Sequence, residues 1–218
     1  MALIDVAYDA VLGTAAITRN YTSAKRLKVV ISSVVGKVDY DMPDKTITLP
    51  LTWGDGIYVF SLYEQRFGTH YTFKDCVSKN VHLTHANAYM LSASTYIPLE
   101  AGSEYAVQAA ALGSWNAIWS WLLRNLHYDY VAAILAGKNL LGPPNIDKCW
   151  SGRKGICYDL SALAVAMARS AGIPAALVMG KLGKTAHAWV EVGGRRYDIV
   201  AALAKTKNKK EYIEERRV

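Results

Sequence analysis

The chain has 218 residues, of which 52% are hydrophobic and 20% are charged, and its formal net charge is +7. This hydrophobic content is enough for a packed core and excludes a wholly disordered chain, while 16 glycines and 6 prolines are too few for a fibrous protein. Three cysteines are too few for a disulfide scaffold, and their odd number leaves at least one free thiol within a single chain.

The N-terminal segment MALIDVAYDAVLGTAAITRN lacks the features of a signal peptide. Asp5 and Asp9 stand where a signal peptide needs Lys or Arg, and no unbroken apolar run follows. We expect residues 1–24 to form an N-terminal arm. The longest uncharged stretch, Ala106–Leu123, contains polar side chains, so we predict a buried amphipathic helix there and no transmembrane segment.

Residues 25–102 have the pattern of a small β-rich domain. Lys45–Leu51 alternates between apolar and polar residues, and its Pro50 is typical of an edge strand. Ile57–Tyr63 is a β-branched and aromatic run that follows a predicted turn at Trp53-Gly54-Asp55-Gly56. Tyr71–Phe73 and Val81–Leu83 are shorter strand candidates. These segments predict an antiparallel β unit.

The hydrophobic period changes at Ser103, where a third segment, residues 103–218, begins. Apolar residues recur at steps of three and four, which predicts one long helix with Ser103 as its N-cap. They are Val107, Ala111, Trp115, Ile118, Leu122 and Leu126.

A second helix is predicted from about Cys157 to Ala171. Strong helix formers fill this stretch, Gly172 stands where a C-terminal glycine belongs, and Pro174 follows. Cys157 therefore falls in the first turn, where the unpaired amides and the helix dipole stabilise a thiolate and can hold an oxyanion on a substrate.

A histidine and an aspartate are predicted to meet on a hairpin further along the chain. Ala186–Val192 alternates like a strand, Gly193-Gly194 suits a two-residue turn, and the return strand begins at Arg195. In this register Val190 faces Tyr197 and Trp189 faces Asp198. His187 then shares a face with Asp198, at a diagonal distance that the two side chains can bridge.

These three residues form a complete nucleophilic set. A carboxylate at Asp198 orients the His187 imidazole, and the imidazole takes the proton of the Cys157 thiol. Cys157 and Cys149 are eight residues apart and could form a disulfide, but that bond would disable the nucleophile, so we expect a free thiol.

The ordered motifs GICYDLSALAVAMARSAGIP, HAWVEV, a glycine hairpin and Asp198 resemble the transglutaminase-like superfamily of papain-type folds, in its bacterial form. The segment around Tyr128-Asp129-Tyr130 is similar to one that precedes the cysteine in bacterial members. The resemblance implies an α+β fold, with a cysteine-bearing helix packed on an antiparallel sheet and preceded by the small β unit. Its catalytic residues fall on Cys157, His187 and Asp198.

The resemblance also sets expectations for chemistry and location. It implies acyl transfer through a thioester, with a peptide or protein substrate and no metal or organic cofactor. Hydrolysis of peptide or isopeptide amides is the leading hypothesis, and protein crosslinking is the alternative. Trp150 and Asn145 are candidates for a side-chain oxyanion donor, and Trp189 is a candidate substrate contact. An extracytoplasmic or cell-surface location is expected, with a cytoplasmic one as the alternative.

Two non-enzymatic hypotheses remain to be weighed. The fold could serve as a cell-surface binding module, although an intact set of Cys, His and Asp argues against it. The basic tail Lys205–Val218 could bind nucleic acid, but it lacks a supporting motif, so we predict no nucleic-acid partner and a solvated terminal helix. The oligomeric state is left open.

Overall fold

The computed structural model describes residues 2–136, 143–206 and 210–218. The chain divides into two compact units, Met1–Thr95 and Tyr96–Val218. The sequence placed the corresponding boundary at residue 102. Part of the basic tail, residues 207–209, lies outside the described residues.

The first unit is built from antiparallel strands. They form a three-stranded sheet of order β1-β2-β5 and a four-stranded sheet of order β4-β3-β6-β7. A 3-10 turn, Ala88–Leu91, follows the last strand. The strands are β1 (Ile4–Asp9), β2 (Thr14–Arg19), β3 (Leu27–Ser32), β4 (Lys37–Asp41), β5 (Thr46–Pro50), β6 (Gly56–Phe67) and β7 (His70–Val81).

Alternation along these strands produces the core of the first unit. In β6 the side chains of Tyr58, Phe60 and Leu62 are buried at every second position, as the period of a half-buried strand requires. The predicted antiparallel β unit is therefore present. The two short candidates Tyr71–Phe73 and Val81–Leu83 are corrected, because the structure has one long strand, β7, that pairs with β6.

Residues 1–24, which we expected to form an arm, instead contain β1 and β2. Both strands lie in the three-stranded sheet, with β2 paired to β1 on one side and to β5 on the other. The buried residues Ile4 and Ile17 hold these strands to the core, and the Asp75 carboxylate accepts a hydrogen bond from the Leu3 amide at 2.6 Å. Buried apolar residues at alternating positions of β1 and at several positions of β2 thus place this segment in the sheet.

The second unit combines helices with a four-stranded antiparallel sheet of order β12-β11-β10-β13 and a short parallel pair, β8-β9. Its helices are α1 (Glu104–Leu112), α2 (Trp115–Asn125), α3 (Tyr130–Ala136), α4 (Ile146–Gly152), α5 (Cys157–Ser170) and α6 (Ile199–Leu203). Its strands are β8 (His127–Tyr128), β9 (Lys154–Gly155), β10 (Ala175–Leu182), β11 (Thr185–Val192), β12 (Arg195–Tyr197) and β13 (Tyr212–Arg217).

The single long helix predicted from Ser103 is wrong, since the structure breaks it into α1 and α2. Ser103 caps α1 as expected, with its hydroxyl accepting from the Ala106 amide. Gly113 then adopts a left-handed φ of 66°, which ends α1, and the Ser114 hydroxyl caps α2. The turn at Gly113 and Ser114 separates the two helices, although the apolar residues keep their spacing of three and four across it.

Helix α5 is the centre of the second unit. It begins at Cys157 and ends at Ser170, as predicted, and its side chains from Leu160 to Arg169 are all buried. The Ser161 hydroxyl reaches the Ala188 carbonyl of β11 at 3.4 Å, so the helix is tied to the sheet through a buried polar contact. The α+β architecture expected from the resemblance is therefore observed.

The C-terminal segment is also corrected, because it forms strand β13 where we expected a solvated helix. β13 pairs antiparallel with β10, with Tyr212 opposite Leu182 and Arg217 opposite Val178. Val218, the residue after β13, is fully buried and exchanges backbone hydrogen bonds with Leu177. Charged residues line this strand, yet its backbone completes the edge of the sheet.

Candidate active site

Cys157 is the first residue of α5, and the segment before it is held on two sides. β9 pairs with β8, which places Gly155 opposite Tyr128. The Asp159 carboxylate accepts from the Ile156 amide at 3.3 Å and from the Asn145 amide at 3.4 Å. An acidic side chain in the first turn thus satisfies an amide that has no partner within the helix.

Gly155 is required by close packing beneath Cys157. A Cβ at this position would lie 2.8 Å from the Asp159 Cβ and 3.2 Å from the Cys149 sulfur. Any larger residue would therefore push the start of α5 away from its neighbours. The Cys157 side chain itself is partly exposed to solvent, as a nucleophile must be.

The hairpin that carries the histidine has the predicted register. Val190 pairs with Tyr197 and Val192 with Arg195 across the turn, and the two turn glycines adopt left-handed φ values of 56° and 71°. Asp198 follows the last strand residue and caps α6, where its Oδ1 accepts from the Ala201 amide at 3.0 Å. The carboxylate is therefore placed by a strand end and a helix start together.

His187 and Asp198 meet in a hydrogen bond, with Nε2 of the ring 2.9 Å from Oδ2 of the carboxylate. Their side chains are only 10% and 7% exposed, so the pair is largely shielded from water. The Cys157 side chain also acts on this ring, since it is among the groups that raise the pKa of His187. Because Nε2 is used by Asp198, Nδ1 is the ring nitrogen that remains for the sulfur.

The electrostatics of the pair favour the charged forms of both groups. Burial opposes protonation of His187, but the hydrogen bonds and charges of Asp198 and Cys157 outweigh it and raise the pKa of His187 to about 9. Burial likewise opposes ionisation of Asp198, but donors from His187, Tyr212 and Ala201 lower the pKa of Asp198 to about 2. An ionised carboxylate therefore faces an imidazolium at neutral pH.

Tyr128, in the segment that the resemblance had singled out, pairs with Gly155, two residues before Cys157. Burial, followed by the charge of Cys157 and then the Tyr130 hydroxyl, raises the pKa of Tyr128, so its phenol stays protonated at neutral pH. The neighbouring Asp129 caps α3 through the Ala132 amide and lies 3.3 Å from the Lys154 ammonium. These contacts hold β8 beside the start of α5.

Trp150, one predicted oxyanion donor, already uses its only donor group. Its indole N–H donates to the Glu104 carboxylate at 2.8 Å, and the ring stacks on Trp121 with the Arg153 guanidinium 3.8 Å from its centroid. These contacts make Trp150 a packed aromatic residue and leave its indole N–H occupied.

Asn145 and Trp189 have different positions around the site. Asn145 is exposed and caps α4, with its Oδ1 accepting from the Lys148 amide at 2.9 Å. Its side-chain N–H groups are the donors that could bind a substrate. Trp189 is 4% exposed and packs edge-on against the Tyr212 ring. That burial leaves little of its surface for a substrate.

One residue of this cluster escaped the sequence analysis. The Tyr212 hydroxyl donates to Asp198 Oδ2 at 2.6 Å, and its ring contacts those of His187 and Trp189. The basic composition of the tail hid this residue. Gly180 in β10 was a signal that could have revealed the strand that carries Tyr212, because an isolated glycine within a strand indicates a bulge or a close approach of another backbone.

The other two cysteines have environments unlike that of Cys157. All three carry free thiols. Cys149 is buried, and burial, together with the charge of Asp159, raises its pKa to about 12, so it stays a neutral thiol. Cys76 lies exposed in β7, within the other unit. Within the described ranges, no group of three or more His, Cys, Asp and Glu residues could hold a metal ion.

A helix that begins at a cysteine and packs on an antiparallel sheet bearing a histidine is the core of the papain-like fold. Comparison with known families points to one branch of that class. Residues 104–198 match the model of the transglutaminase-like superfamily, from the start of α1 to Asp198. The match covers 95 of the 218 residues and confirms the resemblance stated from the sequence.

Two solved structures have a low overall likeness to the chain. The periplasmic domain of TgpA from Pseudomonas aeruginosa aligns with a TM-score of 0.43 and 13% identity, over 84% of this chain and 90% of that one. A protein from Cytophaga hutchinsonii, provisionally named a cysteine protease, aligns with a TM-score of 0.44 and 15% identity, over 94% of this chain and 83% of that one. No curated protein sequence matches the chain.

None of the helices in the described ranges combines the length and the apolar character needed to cross a membrane.

Proposed function

We propose that this protein is a cysteine-nucleophile enzyme that hydrolyses peptide or isopeptide amides through a thioester. The observation that carries the proposal is the arrangement of Cys157, His187 and Asp198, in which the imidazole bonds the carboxylate at 2.9 Å and Cys157, at the start of α5, helps to raise the pKa of the same ring. Cys157 is the first residue of α5, His187 lies in β11, and Asp198 caps α6.

The reaction begins with the thiol proton already held by the imidazolium of His187, and the sulfur of Cys157 attacks the amide carbonyl. The Cys157 backbone amide, in the first turn of α5, donates to the oxyanion that forms. The side-chain N–H groups of Asn145 are a second donor that we propose from the sequence. His187 then protonates the leaving amine, the C–N bond breaks, and a thioester remains on Cys157.

Hydrolysis completes the cycle. His187 takes a proton from water, the hydroxyl adds to the thioester carbon, and the C–S bond breaks to release a carboxylic acid and the free thiol. Asp198 holds the ring in one orientation during both half-reactions and stabilises the imidazolium. Partial exposure of Cys157 supports water as the acceptor, because solvent can reach the thioester.

A labelling experiment tests the nucleophile. The chain is treated with an amide-based thiol probe and digested, and the labelled peptides are identified by mass spectrometry. We expect the label on Cys157 and its loss in Cys157→Ala, with Cys149→Ala as the matched control that keeps it. Labelling that persists in Cys157→Ala at the same total level would overturn the proposal.

A second experiment identifies the acceptor. A peptide library is incubated with the protein in water enriched in oxygen-18, with a primary monoamine present. Hydrolysis places the heavy oxygen in new carboxyl groups, whereas a crosslinking transglutaminase joins the monoamine to a glutamine side chain. Amine adducts without labelled acids would replace the hydrolytic proposal by the transferase.

The extracytoplasmic or cell-surface location expected from the resemblance is part of the same proposal.

A further inference from the structure

The Asp198 carboxylate receives hydrogen bonds from three different elements. Its Oδ2 accepts from His187 Nε2 at 2.9 Å and from the Tyr212 hydroxyl at 2.6 Å, while Oδ1 accepts from the Ala201 amide at 3.0 Å. The oxygen that faces the imidazole is thus the one that Tyr212 also holds. A carboxylate fixed in this way cannot rotate without breaking a charge-assisted bond.

The Tyr212 ring is itself held in place by its neighbours. It lies edge-on to Trp189 with centroids 5.3 Å apart, and the Arg196 guanidinium stands 3.7 Å from its centroid. Its centroid is 6.2 Å from that of His187. The hydroxyl is therefore directed at Asp198 by packing on the same sheet face that carries the histidine.

Strand β13 reaches this position through a local irregularity in β10. The pairing of β10 with β13 shifts between Met179 and Gly180, and Gly180 is also the partner of His187 across the β10–β11 pair. A Cβ on Gly180 would collide with the backbone carbonyl of Ile213, the residue after Tyr212. The missing side chain lets the C-terminal strand approach closely beside the histidine.

We propose that Tyr212 is a positioning residue of the active site, which fixes the carboxylate of Asp198 and through it the orientation of His187. The inference rests on the proposed function and adds strand β13 to the elements that form the active site. Tyr212 acts through Asp198 and does not touch the reacting atoms. Its hydroxyl carries the effect, and its ring keeps the hydroxyl in place.

The test measures how fast iodoacetamide alkylates Cys157, which needs no knowledge of the natural substrate. The background is Cys76→Ser, so that the exposed thiol does not compete. Tyr212→Phe removes the hydroxyl and keeps the ring. We expect the rate at neutral pH to fall about tenfold to a hundredfold, the value of one hydrogen bond to a charged group. Tyr197→Phe, one residue from Asp198, is the matched control and should react like the parent.

Two further readouts separate positioning from general loosening of the fold. With Asp198→Asn already present, Tyr212→Phe should change the rate less than about twofold, because the charged acceptor is gone. In Tyr212→Phe alone, the alkylation rate should begin to fall at a higher pH than in the parent as the solution is acidified. The reason is that the Tyr212 hydrogen bond lowers the pKa of Asp198 and so favours its ionised form. The charged and titratable groups around this carboxylate include His187 and, over the Tyr212 ring, Arg196.

The outcomes distinguish this inference from the function on which it rests. If the parent protein alkylates Cys157 no faster than glutathione reacts, the proposed function fails. If the parent reacts fast and Tyr212→Phe matches it in rate and in acid dependence, the positioning role alone is wrong. If circular dichroism shows that Tyr212→Phe unfolds, Arg196→Gln becomes the second variant, because it removes the cation over the Tyr212 ring. We expect a smaller loss of alkylation rate in this variant. An unchanged rate would contradict the positioning role.

Discussion

His187 Nε2 lies 2.9 Å from Asp198 Oδ2, although the pairing between their two strands ends one residue earlier, at Tyr197. Asp198 leaves the strand and caps α6, so one carboxylate oxygen faces the imidazole and the other holds the helix. The same side chain thus serves the site and the local fold. A substitution there must preserve the cap if it is to report on the chemistry.

Asp198→Asn meets that condition, because asparagine caps a helix as well as aspartate does. We expect the fold to be kept and turnover to fall about 10²–10⁴-fold, since the imidazole loses the anion that orients it. The measurement is kcat/KM on a peptide identified in the library, with circular dichroism to verify the fold. Activity equal to that of the wild type would remove Asp198 from the mechanism and leave the Cys157–His187 pair.

Asp159→Asn is the control for this change. Asp159 lies two residues after Cys157 but bonds the Ile156 and Asn145 amides and supports the helix start. We expect it to lower the free energy of unfolding by about 0.3–1 kcal/mol with turnover largely kept.

Cys157→Ala should abolish turnover and leave the fold intact, because alanine is favoured in helices and the thiol is the nucleophile. Cys149→Ala should keep most of the activity, since that thiol is buried and its pKa is raised to about 12. Peptide turnover by the purified variants measures both. A Cys149 variant as inactive as the Cys157 variant would contradict a mechanism with one thiol.

Local signals account for what the sequence predicted well. The helix at Cys157 has a glycine and a proline just beyond its end, and the hairpin has two glycines between alternating strands, so each element is specified by residues close together in the chain. The His187–Asp198 contact followed from the hairpin because strand side chains alternate. Its role in catalysis stays a prediction.

Non-local pairing explains what the sequence did not predict. Strand β13 pairs with β10, some thirty residues earlier, and its charged side chains show no apolar face that would assign it to a sheet. Tyr212 was therefore hidden in a tail that looked solvated. The break at Gly113 was missed for another reason, since one glycine within an apolar helical period is a weak signal and only the chain turn reveals its left-handed φ.

The ion pair should make stability depend on pH in a defined window. The pKa of His187 is raised from 6.5 to about 9, so its contribution is complete below pH 6.5 and is lost as the pH rises through 9. The pKa of Asp198 is lowered from 3.8 to about 2, so its contribution is present above pH 3.8 and is lost below 2. Both contributions are complete between about pH 4 and 6.5.

Denaturant unfolding of the wild type and of Asp198→Asn across this range measures the effect. We expect the difference in unfolding free energy to be about 1–2 kcal/mol near pH 6, less than the pKa shifts imply because the asparagine amide can still form hydrogen bonds with its neighbours. It should shrink by pH 10. The exposed Asp44→Asn provides a control whose difference stays flat. A constant difference for Asp198→Asn from pH 5 to 10 would show that no ion pair forms.

Gly180→Ala tests whether the close approach of β13 matters to the site. The added methyl would lie 2.9 Å from the Ile213 carbonyl carbon and 3.0 Å from the Glu214 Cα, and both are backbone atoms that cannot turn aside. Strand β13 must therefore shift, which we expect to lower the free energy of unfolding by about 1–3 kcal/mol, as for other overpacked positions. The shift carries Tyr212 away from Asp198, so alkylation of Cys157 should slow at least as much as in Tyr212→Phe. Gly152→Ala is the matched control, because its methyl meets only the flexible Lys154 side chain at 3.8 Å and should be tolerated. A Gly180→Ala variant that loses stability but alkylates at the wild-type rate would show that the position of strand β13 does not affect the reactivity of Cys157.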